Sequence, residues 1–333
     1  MQDTPTACIA VTGTDNQLMK MGASSQNLFG GAGGQPADPG TYGVLPRGYR
    51  LPPSIRLGEV RLRVANLGRS LDYYMNVLGM RVIERSETRA LLGTHGDNRV
   101  LVELNETPGI TGVPKRGRLG LFHFAILLPD RPSLGRFVKH LAEIDVQPGA
   151  GDHLVSEAFY LYDPDGLGIE VYADRPRDTW RRNDKELMMA SDPVDIAGLV
   201  RAAGDVAWTG MPAGTVMGHV HLHVGSIDEG AAFYSEALGF DRVAWSYPGA
   251  LFMSAGGYHH HLGTNNWAGA GAQPASKEEA GLNEWIIEFP DVTSIDAAAA
   301  SITSAGYTIA RDGSDAVTAD PWGTRVRLRV VAR

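Results

Sequence analysis

Ten histidines are spread unevenly over the 333 residues. His219, His221 and His223 alternate in MGHVHLHV, His259, His260 and His261 are consecutive in YHHHLGTN, and His123 stands in the apolar run GLFHFAILL. Neutral imidazole binds transition metals, and with an unperturbed pKa of about 6.5 it also moves protons near neutral pH. On an extended chain His259 and His261 share a face and His260 points the other way. A histidine in an apolar strand is more often a satisfied core residue than a ligand, so His123 matters only if other donors gather around it. The single cysteine, Cys8, excludes an internal disulfide framework and any CxxC zinc site.

The elements that must position these residues repeat. LGEVRLRV alternates apolar and polar residues as a half-buried strand does. In NLGRSLDYYMNVLGM, Leu67, Leu71, Tyr74, Val77 and Leu78 fall at helical spacing, with Gly79 as a stop. RVIERSE, RALLGT and NRVLVELNE then read as three short strands. The same strand-helix-strands unit returns from GLFHFAILLPD, from MGHVHLHV and from NEWIIEFPD. A constant offset of 160 carries Gly58 onto Gly218, Val60 onto Val220, Leu62 onto Leu222, Tyr74 onto Tyr234 and Gly79 onto Gly239. GLFHFAILLPD likewise matches GLNEWIIEFPD, and DPDG matches DPWG. Such repeats signal one supersecondary unit that buries its face against a sister. The expected division is a Gly/Pro-rich N-terminal arm (1–54), a first domain of modules one and two (55–175), a linker with a short helix (176–215) and a second domain of modules three and four (216–333). The arm lacks either periodicity and reads as an extended or disordered segment. Asp163-Pro164-Asp165-Gly166 reads as a turn before a strand.

Composition narrows the function. Thirty Lys plus Arg against 38 Asp plus Glu give a net charge of −8, which argues against a nucleic-acid partner. No apolar run approaches the roughly 20 residues of a membrane span. MQDTPTACIAVTGTDNQ carries Asp where an export signal would carry Lys or Arg, so a cytoplasmic location is expected. Assembly into a homo-oligomer stays open.

Four such modules, with GHVHLHV, YHHHLGTNNW and DPDGLGIEVY, resemble the vicinal oxygen chelate superfamily, which includes glyoxalase I, extradiol dioxygenases and bleomycin-resistance proteins. GLFHFAILLPDR, GDHLVSEAFYLYDPDG and SAGGYHHHLGTNNWAG are most similar to the bacterial CatE-type catechol 2,3-dioxygenases. The resemblance implies an α+β fold of four βαβββ modules forming two curved half-barrels, each with ligand positions on the first and last strands of a module. Those positions are Glu59 and Glu103, His123 and Glu170, His219 and one of His259–His261, and Glu284 and Arg327. Pairing one with two and three with four would leave one site with a single imidazole and the other with a guanidinium among its ligands. Pairing two with three gathers His123, Glu170 and His219, the two-histidine, one-carboxylate set of non-haem Fe(II) enzymes, and is favoured. Aligning LVELN with HHHLG puts His261 at the remaining corner, as ligand or catalytic base, with His259 beside it. The resemblance further offers Tyr160 as a hydrogen-bond partner of substrate and His153 as a catalytic histidine. It implies Fe(II), with Mn(II) or another divalent metal as alternatives, O₂ as co-substrate and a small catechol-like aromatic as substrate. The competing readings are a glyoxalase-type isomerase or epimerase using Zn, Ni or Co, and a non-enzymatic binding protein. A histidine closing the fourth corner would favour isomerisation, and one set back from it dioxygenation.

Overall fold

The computed structural model describes residues 23–30 and 33–331; Cys8 and much of the arm lie outside them. Module one opens with the strand Arg56–Val64. The helix Leu67–Asn76 starts where the Asn66 side chain accepts the Arg69 N–H at 2.8 Å, and it buries Leu67, Ser70, Leu71 and Tyr74 on one face. It stops before Gly79, whose φ of +72° suits glycine; a Cβ there would also strike Trp208 and Gly210. Strands Arg81–Arg85, Arg89–Gly93 and Val100–Glu106 complete the module. Module two has the strand Gly120–Leu127, the helix Arg131–Glu143, and strands Gly149–Asp152, Ser156–Tyr162 and Gly168–Asp174. Module three has Val216–His223, a helix from Ile227 that widens over Ala232–Ala237, and strands Asp241–Ala244, Ala250–Ser254 and Leu262–Asn265. Module four has Gly281–Phe289, the helix Val292–Ser304, and strands Ile309–Asp312, Asp315–Ala319 and Arg325–Val330.

These strands form two eight-stranded curled sheets. In the inner sheet Gly120–Leu127 runs antiparallel to Val216–His223, which joins modules two and three. In the outer sheet Gly281–Phe289 runs antiparallel to Arg56–Val64, which joins modules four and one. The favoured pairing is therefore the one the protein adopts, and each sheet draws one module from each side of the linker. Modules adjacent in the chain are tied differently. Tyr74 Oη donates to Asp163 at 3.3 Å, and its repeat counterpart Tyr234 donates to Asp320 at 2.9 Å. Asp163 also accepts the N–H groups of Asp165 and Leu167, so the Asp163–Gly166 segment is the structural turn its sequence suggests. Burial pushes the Asp163 carboxyl up to about 6, against the lowering effect of those bonds.

The linker crosses the mouth of the inner sheet. Its strands Arg181–Asn183 and Glu186–Leu187 join Gln35–Pro36 of the arm in a small sheet, and its helix Ile196–Ala203 starts at the Asp195 cap. Among the described arm residues, Ala23, Ala37 and Tyr42 are buried, and Arg50 pairs with Asp241 of module three.

In the outer sheet the four corner positions hold charge, not imidazole. The Arg61 guanidinium lies between Glu284 (2.7 Å), Glu59 (3.2 Å) and Glu103 (3.3 Å). Arg329 also holds Glu59, Arg89 holds Glu103, and Arg327 holds Glu284. Burial alone would raise the Glu59 and Glu103 carboxyls, but Arg329 and Arg61 beside the first, and Arg89 and Arg61 beside the second, hold both below the usual range. Removing Arg61 leaves three buried carboxylates short of a cation, and breaking a buried pair in this way costs about 3 kcal/mol. Arg61→Ala should lose about that much stability in urea titrations near neutral pH. The lowered carboxyls stabilise the fold above their unfolded pKa of about 4.3, and that stabilisation is lost as pH falls through their folded values. The deficit of Arg61→Ala should accordingly shrink in titrations run at lower pH.

Candidate metal centre

One row across the inner sheet builds the site. His219 lies opposite Ala125, Ala125 opposite Glu170, Glu170 opposite Tyr160 and Tyr160 opposite Gly149. His123, two residues before Ala125, shares its face. The register brings His123 Nε2 to 3.0 Å and His219 Nε2 to 3.1 Å from the same Glu170 oxygen. One donor atom from each of the three lies within 4.8 Å of the others, and all three residues are buried. Ala125, between them in the row, is buried against Ala158 and Tyr172.

The ladder also locates the fourth corner. Ala125 faces Glu170, Arg61 faces Glu103 and Ile286 faces Arg327; in module three the matching pair is His221 and Gly263. The fourth corner is thus Gly263, without a side chain, and not His261. A Cβ on Gly263 would sit 2.9 Å from the His221 ring, which occupies that space while its Nε2 meets the Asn265 side-chain amide at 2.9 Å. The expectation for His261 aligned LVELN with HHHLG, two residues away from the constant offset of 160, and treated the histidines as part of the strand. The strand begins at Leu262, so the alternation argument does not apply to the three histidines before it.

The run is folded into a bend with three outcomes. His260 lines the cavity that the three donors face, its ring centroid 4.0 Å from that of His219. His259 lies behind it, joining His260 Nδ1 (2.7 Å) to Asp174 (2.9 Å). His261 turns away, its Nδ1 accepting the Ala255 N–H and its ring against Tyr258 and Phe240. Tyr160 and His153 both line the cavity and meet at 2.6 Å, and the other His153 nitrogen meets the Ala190 carbonyl at 2.7 Å. A His153 ring that donates from Nδ1 to the Ala190 carbonyl accepts the Tyr160 O–H at Nε2.

Reasoning from sequence missed the rest of the wall. Met189 and Ala190 come from the linker, Tyr247 and Phe252 from the hairpin between the middle strands of module three. The apolar MMA inside an otherwise polar linker was the available signal. Trp267, a few residues after the histidine run, closes the wall. The cavity measures about 30 Å³, room for a metal ion or about two waters.

Electrostatics favours a cation here. Burial lowers His219, His221 and His260, and the neighbouring imidazoles lower the last two further, so these rings are held neutral, the form that binds metal. Burial would raise Glu170, but His219 and His123 beside it keep its carboxyl well below the usual carboxylate range. Two imidazole nitrogens and one carboxylate converging on one small cavity fit a divalent transition metal.

Comparison with known proteins gives the family. The family model of the Glyoxalase/Bleomycin resistance protein/Dioxygenase superfamily matches residues 56–171 and 216–328. A catechol-2,3-dioxygenase of Bacillus subtilis strain 168 is 45% identical over 268 residues, 80% of this chain and 93% of its own. A lactoylglutathione lyase of Neisseria meningitidis is 29% identical over 133 residues, 37% of this chain and 94% of its own. Among solved structures, glyoxalase I from Zea mays superposes with a TM-score of 0.50 at 21% identity, over 83% of this chain and 92% of its own, a likeness of fold. A family model that matches both repeat pairs and a relative 45% identical over most of both chains identify it: this chain belongs to the Glyoxalase/Bleomycin resistance protein/Dioxygenase superfamily.

Proposed function

We propose that the protein is an extradiol dioxygenase that cleaves a catechol-like ring with O₂, using Fe(II) held by His123, His219 and Glu170. The observation that carries this reading is the donor set itself: two imidazoles and one carboxylate, with a glycine where a fourth protein ligand would stand. An isomerase site of the glyoxalase type would be expected to close that corner, so Gly263 weighs against it. The 45% identical relative, named a catechol-2,3-dioxygenase, supports the same reading. When bound, Fe(II) would supply the electron path between catecholate and O₂. Mn(II) is the alternative for the same ligands.

The surrounding residues then have definite tasks. Asp174 accepts the His259 Nε2–H, which leaves His259 Nδ1 to accept from His260 Nδ1–H. His260 is thereby set with Nε2 as its free lone pair, ready to take a proton from a substrate hydroxyl and return it. His260, rather than His261, is the acid–base residue in this reading, and His259 holds its tautomer. Tyr160, donating to His153, accepts a hydrogen bond from the second substrate hydroxyl. Phe122, Trp267 and Phe252 provide apolar walls for the ring.

Three measurements test this. Protein purified without oxygen and loaded with Fe(II) should consume O₂ with catechols and form yellow ring-fission products; iron-loaded protein inert toward a panel of catechols would remove the assignment. His123→Ala should abolish stoichiometric iron binding by elemental analysis, whereas Glu284→Gln, in the outer sheet, should bind iron as the wild type does. With iron content matched, His260→Ala should lower kcat by about a hundredfold or more, while His261→Ala stays near wild type in the same product assay.

A further inference from the structure

Beside the small metal cavity, between the two sheets, lies an open cleft of about 1790 Å³. Phe122, Tyr160 and Trp267 line both spaces, so these three rings form a partition with the metal chamber behind it. In a protein of net charge −8 the cleft has the opposite sign. Six of its lining residues are Arg or Lys, against only Asp165 and Glu279. Arg118 is spent on Glu279 at 2.7 and 2.8 Å, and Arg325 lies 3.4 Å from Glu284. Among the described residues, Arg63, Lys115, Arg116 and Lys277 have no carboxylate at ion-pair distance.

Arg63 is the most telling of these. Its guanidinium is half-buried and fixed by three hydrogen bonds: to the Glu279 carbonyl (2.9 Å), the Asn283 side-chain oxygen (3.0 Å) and the Ser276 carbonyl (2.8 Å). All three acceptors are neutral, so the group is positioned without a direct ion pair; the Glu278 and Glu279 carboxylates act on it only from beyond ion-pair distance. Lys115 and Arg116, on the loop just before the His123 strand, place two more cations at the same opening. A low-dielectric cleft lined by one sign of charge focuses field toward its interior and draws in ligands of the other sign. A neutral diol would gain nothing from this arrangement.

We infer that the preferred substrate is an anionic catechol, an aromatic diol carrying a carboxylate on a short side chain. The ring passes the Phe122–Tyr160–Trp267 partition, and the carboxylate stays in the cleft with Arg63, Lys115 and Arg116. This inference rests on the dioxygenase reading and names the substrate class for that site.

The test compares 3,4-dihydroxyphenylacetate with its methyl ester, which keeps the ring and removes the charge, on the iron-loaded full chain. At low salt the acid should have the higher kcat/KM, by about tenfold. That ratio should fall toward unity in about 0.5 M salt, where the Debye length drops below side-chain dimensions, and in the K115E/R116E double variant. Equal kcat/KM for acid and ester, or a preference that survives charge reversal, would overturn the inference while leaving the dioxygenase reading standing. If neither compound is cleaved while other catechols are, the inference is overturned; if the whole catechol panel is inert, the dioxygenase reading fails instead. Binding of the two compounds to metal-free protein, followed by tryptophan fluorescence, then decides the cleft: tighter binding of the acid supports it as an anion site, and equal binding refutes it.

Discussion

The site depends on a single strand pairing. Gly120–Leu127 and Val216–His223 meet antiparallel at the centre of the inner sheet, in a register that sets His219 against Ala125 and His221 against His123. A slip of one residue would turn every side chain of one strand to the opposite face and scatter the donors. The register is defended from both sides. Phe124, Ile126, Val220 and Leu222 face the helices and are fully buried, so the alternation that points His123 and His219 into the concave face also builds the core beneath them. The cost of placing one carboxylate and several imidazoles out of water is thus met by the same apolar contacts that hold the sheet together.

The two sheets solve one geometric problem in two ways. Each brings four corner positions together at the centre of a curled sheet. In the outer sheet the space is filled from within the chain, because Arg61 supplies the positive charge and Glu59, Glu103 and Glu284 surround it. In the inner sheet the residue matching Arg61 is His221, whose ring leans over Gly263 and is tied to Asn265, so no fixed charge enters. The scaffold is the same; a guanidinium in one and its absence in the other separate a structural half from a chemical one.

Much of this was legible in the sequence because repeats constrain one another. The offset that carries Val60 onto Val220 carries Glu59 onto His219, so three of the four inner corners could be named without coordinates. Module pairing was legible for a chemical reason: only one arrangement avoids placing Arg327 among ligands. The histidine run was not legible. Periodicity describes residues inside a strand, and His259, His260 and His261 lie in the bend before one, where backbone turns and not alternation decide which ring points inward. Asp174, Met189 and Ala190 escaped for a related reason, since a last-strand terminus and a linker acquire their neighbours only when distant segments fold over them.

The crosswise assembly of modules also bears on how the chain reaches this state. Modules two and three are separated only by the linker, so the half that holds the donor set can close as soon as the second of them has left the ribosome. The Arg56–Val64 strand emerges before either, yet its partner Gly281–Phe289 is made near the end. Through most of synthesis it waits with an unpaired edge, tethered to module two by the Tyr74–Asp163 contact. Pairings this distant in sequence are slow to form. The half with the donor set is therefore the one placed to mature first, and the outer sheet closes after it.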